Sequence, residues 1–579
     1  MTSTSVVTER PRTSAPLAAM ERHPWRAFVL LTLIYVAVVL AISSLKVLWL
    51  DELITLHIAR LATVHQIWEA LERGADPNPP LSHILVHYSR LVFGEHEFAL
   101  RLPAMAGYWI GLASLFAYLC RRLPAMWALG GTILSMTMAA FDYSFESRSY
   151  GIFYGLAMLA FLCWTRAVDD GPGKERRGWL AGMVFALAAG IATNYFAVLA
   201  FVPIAAGEAA RTIQRAVELR CNLPRNSGTV RAALLASFDP AVWICLAIAA
   251  IPFFAFLPLI NRSIAQFAPT AWNKVTLGQL SDSYTEMVEI VLYPILALLL
   301  LNGAARAFAG LCEDCRRRFW SRWMRRAGET FRSRSGILPA YETIGVLCLM
   351  AYPVLGYIVA SVHGGMLSPR FVIPVCYGFA IAATVASYQL FRSYPRSGVV
   401  FAGFFLVWFL CRESVVGYWY EEQKQCLYKV IDHIPQAEAM APPGTAILVP
   451  DPLLLLTLDH YAPPAIADRI VFPVAFSALR RYRHYDSPEQ NLWAGRGYLY
   501  HIPLVPLNQL LQSSGRHLIV ADDGNWLLDD LSDQGYSLRQ LPIDTRAGAM
   551  GGFTPVSKGK PMFYVSTAGR NTAGQSSGL

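Results

Sequence analysis

An acidic pair directly follows the first long apolar segment of the chain, where a carboxylate is costly unless it is solvated or used. The pair is Asp51 and Glu52, and Thr55 lies one helical turn beyond Asp51. Because adjacent residues of a helix point about 100° apart, only one of the two carboxylates can face a reacting centre. Its neighbour would then cap the helix, orient a ligand or contact a second ligand. The alternative is that both residues only mark the membrane boundary.

Three further polar clusters lie at the ends of apolar segments. They are 146–150, with Glu146, Arg148 and Tyr150, then Asn194-Tyr195, and finally 368–371 with Arg370. An arginine at membrane depth needs an anion, which Glu146 or a lipid phosphate could supply. The guanidinium group suits phosphate because its fork donates two parallel hydrogen bonds. A structural ion pair is the alternative for each arginine.

The segment 51–101 has more structure than a simple connection. Apolar residues at helical spacing predict an amphipathic helix over 54–73 that lies in the membrane interface. Asp76-Pro77-Asn78-Pro79-Pro80 ends it, because proline removes a donor and clashes in a helix interior. A second amphipathic helix is predicted over 81–93, ending at Gly94. His83 and His87 share a face of that helix, so they could ligate a metal or simply meet lipid headgroups.

The composition of the chain is that of a membrane protein. Hydrophobic residues make up 55% of its 579 residues, charged residues 15%, and the mean hydropathy is +0.37. Soluble proteins carry about 25% charged residues. Since a spanning helix needs about 20 apolar residues, the sequence predicts a polytopic α-helical membrane protein. It has about eleven spans by apolar pattern: 28–45, 103–119, 126–141, 152–164, 179–192, 195–206, 241–259, 288–309, 337–362, 371–391 and 398–411.

Arginine-rich segments between the spans indicate the orientation. Segment 312–336 holds eight Arg against three acidic residues, and 211–237 holds five Arg against one. Cytoplasmic loops carry such an excess of Lys and Arg. We therefore predict a multi-pass protein of the inner (plasma) membrane with a cytoplasmic N-terminus and a periplasmic or extracellular C-terminal region. The net charge of +9 then indicates loops near lipid headgroups, not nucleic-acid binding.

The chain divides into four predicted parts. Residues 1–26 form a cytoplasmic N-terminal segment, and 27–411 form the transmembrane catalytic domain, with 51–101 as its first outer loop. The content of charged residues and proline increases in 412–566, which is predicted to be a soluble α/β domain. Its strands are predicted at the short apolar runs 446–449, 518–520 and 562–565, and a helix is predicted over 525–535. The Gly/Ser/Thr-rich tail 567–579 is predicted to be disordered.

Six short motifs follow one another along the predicted outer side. They are Asp51-Glu52, Asp76-x-x-Pro79-Pro80-Leu81, Phe98-Ala99-Leu100-Arg101-Leu102-Pro103, Glu146-x-Arg148-x-Tyr150, Asn194-Tyr195-Phe196 and Arg370-Phe371-x-x-Pro374. In this order they resemble the GT-C-fold glycosyltransferases that use polyprenyl-phosphate sugars. That superfamily includes protein O-mannosyltransferases and the bacterial aminoarabinose transferase acting on lipid A. The resemblance covers roughly residues 30–390.

The resemblance implies an inverting sugar transfer and a role for each matching residue. Asp51 would be the base that takes the proton of the acceptor hydroxyl, and Glu52 would orient the acceptor or the sugar. Positive charge would stabilise the departing phosphate; the candidates for donor binding are Arg148, Tyr150, Arg370, Lys274 and Arg101. The candidates for the substrate cavity are Thr55, Asp76, Asn78, Pro79, Pro80, Glu146, Asn194 and Tyr195.

The implied partners are a polyprenyl-phosphate-linked sugar, membrane lipids, and a glycan, lipid or protein acceptor. Asn78 and Asn194 stand where relatives often have His, so no metal ligand is assigned and a divalent metal stays open. A transporter or flippase of a lipid-linked or small substrate is the main alternative, and it would place charged or helix-broken positions near the middle of the bilayer. A phosphoethanolamine-type transferase is a further alternative, which would need a metal-loaded soluble domain.

Overall fold

A computed structural model gives the fold of most of the chain. It describes residues 21–170, 173–222, 230–267, 269, 275–311, 337–363, 365–392, 396–441, 445–513, 516–522, 524–543 and 561–567. The basic segment 312–336, residues 1–20 of the predicted N-terminal segment and residues 568–579 of the predicted tail lie outside these residues.

Apolar helices form the first and larger part of the fold. Long runs of Leu, Val, Ile, Phe and Ala satisfy their own backbone groups only as helices when they lie in lipid. In chain order the helices are α1 Pro24–Leu45, α2 Leu50–Ala59, α3 Val64–Glu72, α4 Pro80–Phe93, α5 Glu97–Cys120, α6 Ala125–Met136, α7 Ser149–Asp169, α8 Lys174–Thr193, α9 Phe201–Asn222, α10 Val230–Ser237, α11 Pro240–Ala249, α12 Ile251–Phe267, α13 Leu277–Leu311, α14 Ala340–Met350, α15 Tyr352–His363, α16 Val375–Phe391 and α17 Ser397–Met440. Short 3₁₀ helices occupy Ala139–Phe145, Tyr195–Ala200 and Pro369–Phe371.

All eleven predicted spans fall on helices. Of the residues that the structure describes, six stretches are long and apolar enough to cross a membrane: Pro24–Leu45, Glu97–Cys120, Ser149–Asp169, Tyr195–Cys221, Pro240–Gln266 and Ser397–Met440. The pair α14 and α15, bent by 56°, makes a seventh. The other four predicted spans lie on α6, α8, α13 and α16. Helix α17 continues well beyond residue 411, where the last span was predicted to end.

Helices α5 and α7 pack closely through small residues. Gly107 of α5 and Gly155 of α7 meet so that a Cβ on Gly155 would overlap the Gly107 carbonyl oxygen. Gly111 and Gly151 continue the contact, which gives each helix the small-xxx-small spacing of membrane helix pairs. This contact brings the start of α7, and with it Arg148, next to the first turns of α5.

A charged cluster connects three helices at the opposite end of α5. The Arg122 guanidinium donates to both oxygens of Glu342 and to Asp169 Oδ2, and the Tyr118 hydroxyl donates to Glu342 Oε2 at 3.0 Å. Glu342 is completely buried. The cluster therefore joins the ends of α5, α7 and α14 through compensated charges.

The first outer loop contains three helices, and the single helix predicted over 54–73 is wrong. The chain breaks between α2 and α3, where Thr63 accepts a hydrogen bond from the backbone N–H of Gln66 and caps α3. Helix α2 does not lie in the interface either, because Glu52 to Ala59 are buried. Helix α4 agrees with its prediction and ends at Gly94, whose φ of 93° favours glycine.

The described residues of the C-terminal region fold around a six-stranded sheet. Its elements are β1 Ala446–Leu448, α18 Pro452–Tyr461, α19 Pro464–Ala467, β2 Ile470–Val474, α20 Phe476–Tyr482, α21 Ser487–Gly495, β3 Leu504–Pro506, α22 Leu507–Ser513, β4 His517–Asp522, α23 Trp526–Asp533, β5 Ser537–Gln540 and β6 Pro561–Thr567. The strand order is β3-β2-β1-β4-β6-β5; the first four strands are parallel, and β6 pairs antiparallel with β4 and β5. The predicted strands and the helix near 525–535 are confirmed.

This α/β region covers helix α2 from above. The backbone N–H of Leu48 donates to the Tyr461 hydroxyl at 2.9 Å, and that hydroxyl donates to Glu97 at 2.9 Å. The His57 ring packs edge-on against Tyr500 at a centroid distance of 4.9 Å. Packing on both sides explains why α2 is buried, and it places the acidic pair between the helical bundle and the C-terminal region.

Candidate active site

Asp51 lies at the centre of a cluster of alternating charges. Its Oδ2 accepts a hydrogen bond from Arg370 Nη1 at 2.9 Å, and Arg148 Nη2 lies 3.8 Å from the same oxygen. The Asp51 side chain is 20% exposed and that of Arg370 is 16% exposed. The structure thus brings together three residues that are far apart in the sequence, and it leaves the carboxylate of Asp51 open to a ligand.

Arg148 is held in place by the loop before α4. Its Nη1 donates to Asp76 Oδ2 at 2.7 Å, to Thr55 Oγ1 at 3.1 Å and to the Asp51 carbonyl oxygen at 3.1 Å. Asp76 also accepts from the backbone and side-chain N–H groups of Asn78, at 2.8 and 2.6 Å. Burial alone would raise the pKa of Asp76, but the neighbouring Arg148 guanidinium lowers it to about 2. Asp76 therefore stays ionised and fixes Arg148.

Glu52 does not share the open site with Asp51. Arg101 donates to both Glu52 oxygens, at 2.8 and 2.9 Å, and also to the carbonyl oxygens of Ser43, Lys46 and Val47. Both side chains are completely buried. Glu52 Oε2 also accepts a hydrogen bond from the backbone N–H of Trp49 at 3.4 Å and so caps the start of α2. Both Glu52 oxygens and all three guanidinium nitrogens of Arg101 are thus engaged. This arrangement favours a structural ion pair over the predicted roles, in which Glu52 orients the acceptor or the sugar and Arg101 binds phosphate.

Glu146 is not the anion that balances Arg148. Its Oε1 accepts from Lys46 Nζ at 2.6 Å, and that ammonium group also lies 5.3 Å from the ring centroids of Phe145 and Tyr420. Both charged side chains are buried. Of the two anions considered for the arginines, Glu146 does not reach Arg148, because the chain turns sharply between them, where the Arg148 N–H donates to the Glu146 carbonyl oxygen at 2.7 Å. The two side chains therefore point to different partners, Glu146 to Lys46 and Arg148 to Asp76.

The remaining predicted residues have separate contacts around the charged cluster. The Tyr150 ring lies 5.6 Å from the Arg370 guanidinium. Asn194 caps the 3₁₀ helix after it by accepting from the Phe196 N–H, and its amide donates to Ser149. Pro79 and Pro80 are buried and start α4. Lys274 lies outside the described residues.

The histidines of the first loop do not form a common site. The buried His83 has Nε2 3.9 Å from Asp76 Oδ1, and neither of its ring nitrogens has a hydrogen-bond partner in the described part of the chain. Burial lowers the pKa of His83 to about 4, so the ring is neutral at physiological pH. His87 instead bonds the Ala59 carbonyl oxygen at 2.8 Å. Among the residues described, no three His, Cys, Asp or Glu side chains converge as a metal site requires.

A small pocket of about 10 Å³ lies beside Asp76. Asp76, Asn78 and Tyr195 line it on one side, and Arg262 and Gln266 line it on the other. Gln266 also lines a second cavity, of about 260 Å³, with side chains of α20 and α21. Sequence reasoning missed Arg262, Gln266 and Lys46. Of these residues, only Lys46 could have been recognised from the sequence, because it is a charged residue at the outer end of the first span.

The fold places a charged, partly open site of an apolar helical bundle beneath a small α/β region. Residues 77–243 match the family described as dolichyl-phosphate-mannose-protein mannosyltransferase. The solved structure of ArnT from Cupriavidus metallidurans in the apo state matches with a TM-score of 0.51 and 12% identity, over 93% of this chain and 98% of that chain. The same protein bound to undecaprenyl phosphate matches with a TM-score of 0.48 and 12% identity, over 94% and 98%. A search of curated proteins gave no match.

These findings confirm the fold class and the enzyme class expected from the sequence. The apo ArnT structure supports the fold, and the family match supports glycosyl transfer over transport. The chain is a multi-pass membrane protein. The domain limits at 26, 411 and 566 and the roles of individual residues stay predictions.

Proposed function

We propose that the chain transfers a sugar, with inversion, from a polyprenyl-phosphate donor to a hydroxyl group of a glycan, lipid or protein. One observation carries the proposal: a partly exposed carboxylate, Asp51, is 2.9 Å from the partly exposed guanidinium of Arg370. A base and a phosphate-binding cation are the two groups that this reaction needs at the anomeric carbon.

Asp51 acts as the base. It takes the proton of the acceptor hydroxyl while the hydroxyl oxygen forms a bond to the anomeric carbon of the donor. The bond from that carbon to the phosphate oxygen breaks at the same time, and the polyprenyl phosphate leaves as an anion. Attack from the face opposite the leaving group inverts the configuration, and no second carboxylic acid is required because phosphate is a stable leaving group.

Arg370 binds the donor phosphate. In the resting site it pairs with Asp51, so a phosphate that arrives at Arg370 competes for the guanidinium and releases the carboxylate to act as a base. Arg148 is anchored by Asp76 and Thr55, and it holds positive charge beside the reaction without moving. Tyr150 supports Arg370 through its ring.

The site faces the outside of the inner (plasma) membrane in this proposal, with a cytoplasmic N-terminus and a periplasmic C-terminal region. Two features support this orientation. The charged cluster around Asp51 and the C-terminal region lie at the same end of α5, whereas Arg122, Glu342 and Asp169 lie at the other end. The arginine-rich segments 211–237 and 312–336 follow spans that end on that second side.

The test is transfer of radiolabelled sugar from a panel of undecaprenyl-phosphate sugars by the purified protein in detergent, with a cell-envelope extract as the acceptor. We expect a labelled product with the anomeric configuration opposite to that of the donor, as read by NMR. Donor-independent uptake of labelled sugar into proteoliposomes, without any product, would instead favour the transporter. A product with retained configuration would contradict direct displacement by the acceptor.

A further inference from the structure

Helix α2 carries Asp51, but its apolar side chains pack into the core of the C-terminal region. Leu53 and Leu56 of α2 belong to the same buried cluster as the leucines of α18 and the inward side chains of the parallel strands. The helical bundle has a separate apolar core, which contains Tyr150 and Val372, each two residues beyond one of the site arginines. The base and the cations of the proposed reaction are therefore positioned by two different parts of the fold.

The linker 46–49 joins α1 to α2 and sets the position of Asp51, which lies in the first turn of α2. On the side of α5, the Arg101 guanidinium donates to two carbonyl oxygens of the linker, at 3.0 and 3.2 Å. On the side of the C-terminal region, the Tyr461 hydroxyl accepts the backbone N–H of Leu48 at 2.9 Å. Leu48 is completely buried, and a buried N–H without a partner is costly. The hydroxyl of Tyr461 thus holds the linker in place.

Tyr461 is itself fixed in position and orientation. Its hydroxyl donates to Glu97 Oε1 at 2.9 Å, which leaves the oxygen lone pairs to accept the N–H of Leu48. Tyr461 is the last residue of α18, a helix that Asp451 caps by accepting the N–H of Leu454 at 2.9 Å. Leu454 is completely buried in the core that α18 shares with α2. A shift of α18 would therefore move the linker with it.

We propose that Tyr461 is a positioning residue, whose hydroxyl holds the linker so that the carboxylate of Asp51 faces Arg370. The C-terminal region thereby completes the active site of the bundle. This inference rests on the proposed function, in which Asp51 is the base, and Tyr461 acts through Asp51 without touching the substrate. Since a displacement of about 1 Å can lower the rate of an enzyme about a hundredfold, the loss of this one hydroxyl group should change turnover.

The bond between Tyr461 and Leu48 is tested first in the resting protein, without turnover. Hydrogen–deuterium exchange of the full chain in detergent, read by mass spectrometry, follows the amide groups of residues 47–52. We expect Tyr461→Phe to exchange about tenfold faster in this segment, the factor that the loss of one hydrogen bond gives.

Tyr482→Phe is the matched control for this exchange measurement. It also removes a tyrosine hydroxyl that donates to a carboxylate, since Tyr482 bonds Asp533 at 2.6 Å. Both of these residues belong to the C-terminal region, on α20 and α23. Exchange in the segment 47–52 should therefore stay at the wild-type rate in this variant.

Turnover separates a positioning role from a purely structural one. At equal amounts of folded protein, Tyr461→Phe should lower kcat about ten- to hundredfold. The donor KM should stay unchanged, because Arg370, which binds the donor phosphate, is held by the bundle. In the Asp51→Asn background the same change should lower the residual rate no further, since Tyr461 acts only through Asp51. Tyr482→Phe should keep the wild-type kcat.

Three results would overturn the inference. They are unchanged exchange in the segment 47–52, an unchanged kcat of Tyr461→Phe, and a further loss of rate when Tyr461→Phe is added to Asp51→Asn. Failure of the proposed function is distinguishable from these. If the wild type transfers no sugar from any donor, the proposed function is contradicted, and the catalytic role of Tyr461 with it. If the wild type transfers sugar and Tyr461→Phe does so equally well, this inference alone is contradicted.

Discussion

Replacing Arg101 by Met should destabilise the protein strongly without touching the open site. The change leaves the Glu52 carboxylate completely buried, and its donors among the described residues are then the Ser147 N–H at 2.7 Å and the Trp49 N–H at 3.4 Å. Breaking a buried pair by removing one partner costs about 3–5 kcal/mol because an uncompensated charge remains. Three carbonyl oxygens also lose a donor. We expect a loss near the upper end of that range.

The double variant Arg101→Met/Glu52→Gln separates charge from packing. It leaves no buried charge, and the glutamine can still accept from Ser147, so it should be at least about 2 kcal/mol more stable than the single variant. Unfolding by SDS titration in mixed micelles measures the difference. Arg469→Met is the control: its pair with Glu438 is 52% and 24% exposed, and such pairs contribute at most about 1 kcal/mol. Equal stability of the single and double variants would refute the reasoning.

The same pair predicts a kinetic result. Since Glu52 is engaged by Arg101 and by the helix cap, folded Glu52→Gln protein should keep the wild-type kcat even though its stability falls. Turnover per folded molecule, with the folded fraction measured by size-exclusion chromatography, checks this. A loss of about a hundredfold, typical of a removed acid–base group, would return Glu52 to the reaction.

Three further outcomes follow from particular contacts. Gly155→Ala should sharply reduce the yield of folded protein on size-exclusion chromatography, because the new Cβ would force the closely packed helices α5 and α7 apart. Gly403→Ala is the control: its Cβ would meet nothing within 4 Å, so it should behave like the wild type. Burial lowers the pKa of His83 from 6.5 to about 4, so the unfolded chain binds this proton first and stability should fall as the pH drops from 6.5 to 4. His83→Asn should make that fall shallower, with the exposed His65→Asn as a control; equal slopes would contradict the burial argument. Arg370→Ala should raise the donor KM about tenfold or more, with Arg370→Lys between it and the wild type, and an unchanged KM would place the phosphate elsewhere.

Local structure could be predicted from the sequence wherever one signal dominates. Apolar blocks gave the positions of the spans, and the proline run with Gly94 gave α4, because both depend on neighbouring residues only. The break between α2 and α3 was missed since the apolar period continues across it. Thr63 followed by Gln66 three residues later was the available signal, as that spacing is typical of a capped helix start.

Partner choice in the site could not be read from the sequence. Arg148 selects Asp76, 72 residues away, and not Glu146, two residues away. Which carboxylate reaches an arginine depends on the crossing of α5 and α7 and on the path of the loop before α4, and neither has a local signature. The same reason explains why Glu146 pairs with Lys46 across 100 residues.

The most direct test of the central claim is sugar transfer from an undecaprenyl-phosphate donor by the wild type and Asp51→Asn, compared at equal expression and equal melting temperature. The change keeps the shape of the side chain and removes its negative charge, and with it both the basicity and the ion pair with Arg370. Since a general base contributes about 10²–10⁴-fold, we predict that transfer falls by at least a hundredfold while donor binding persists. Turnover of Asp51→Asn at the wild-type rate would contradict the assignment of Asp51 as the base.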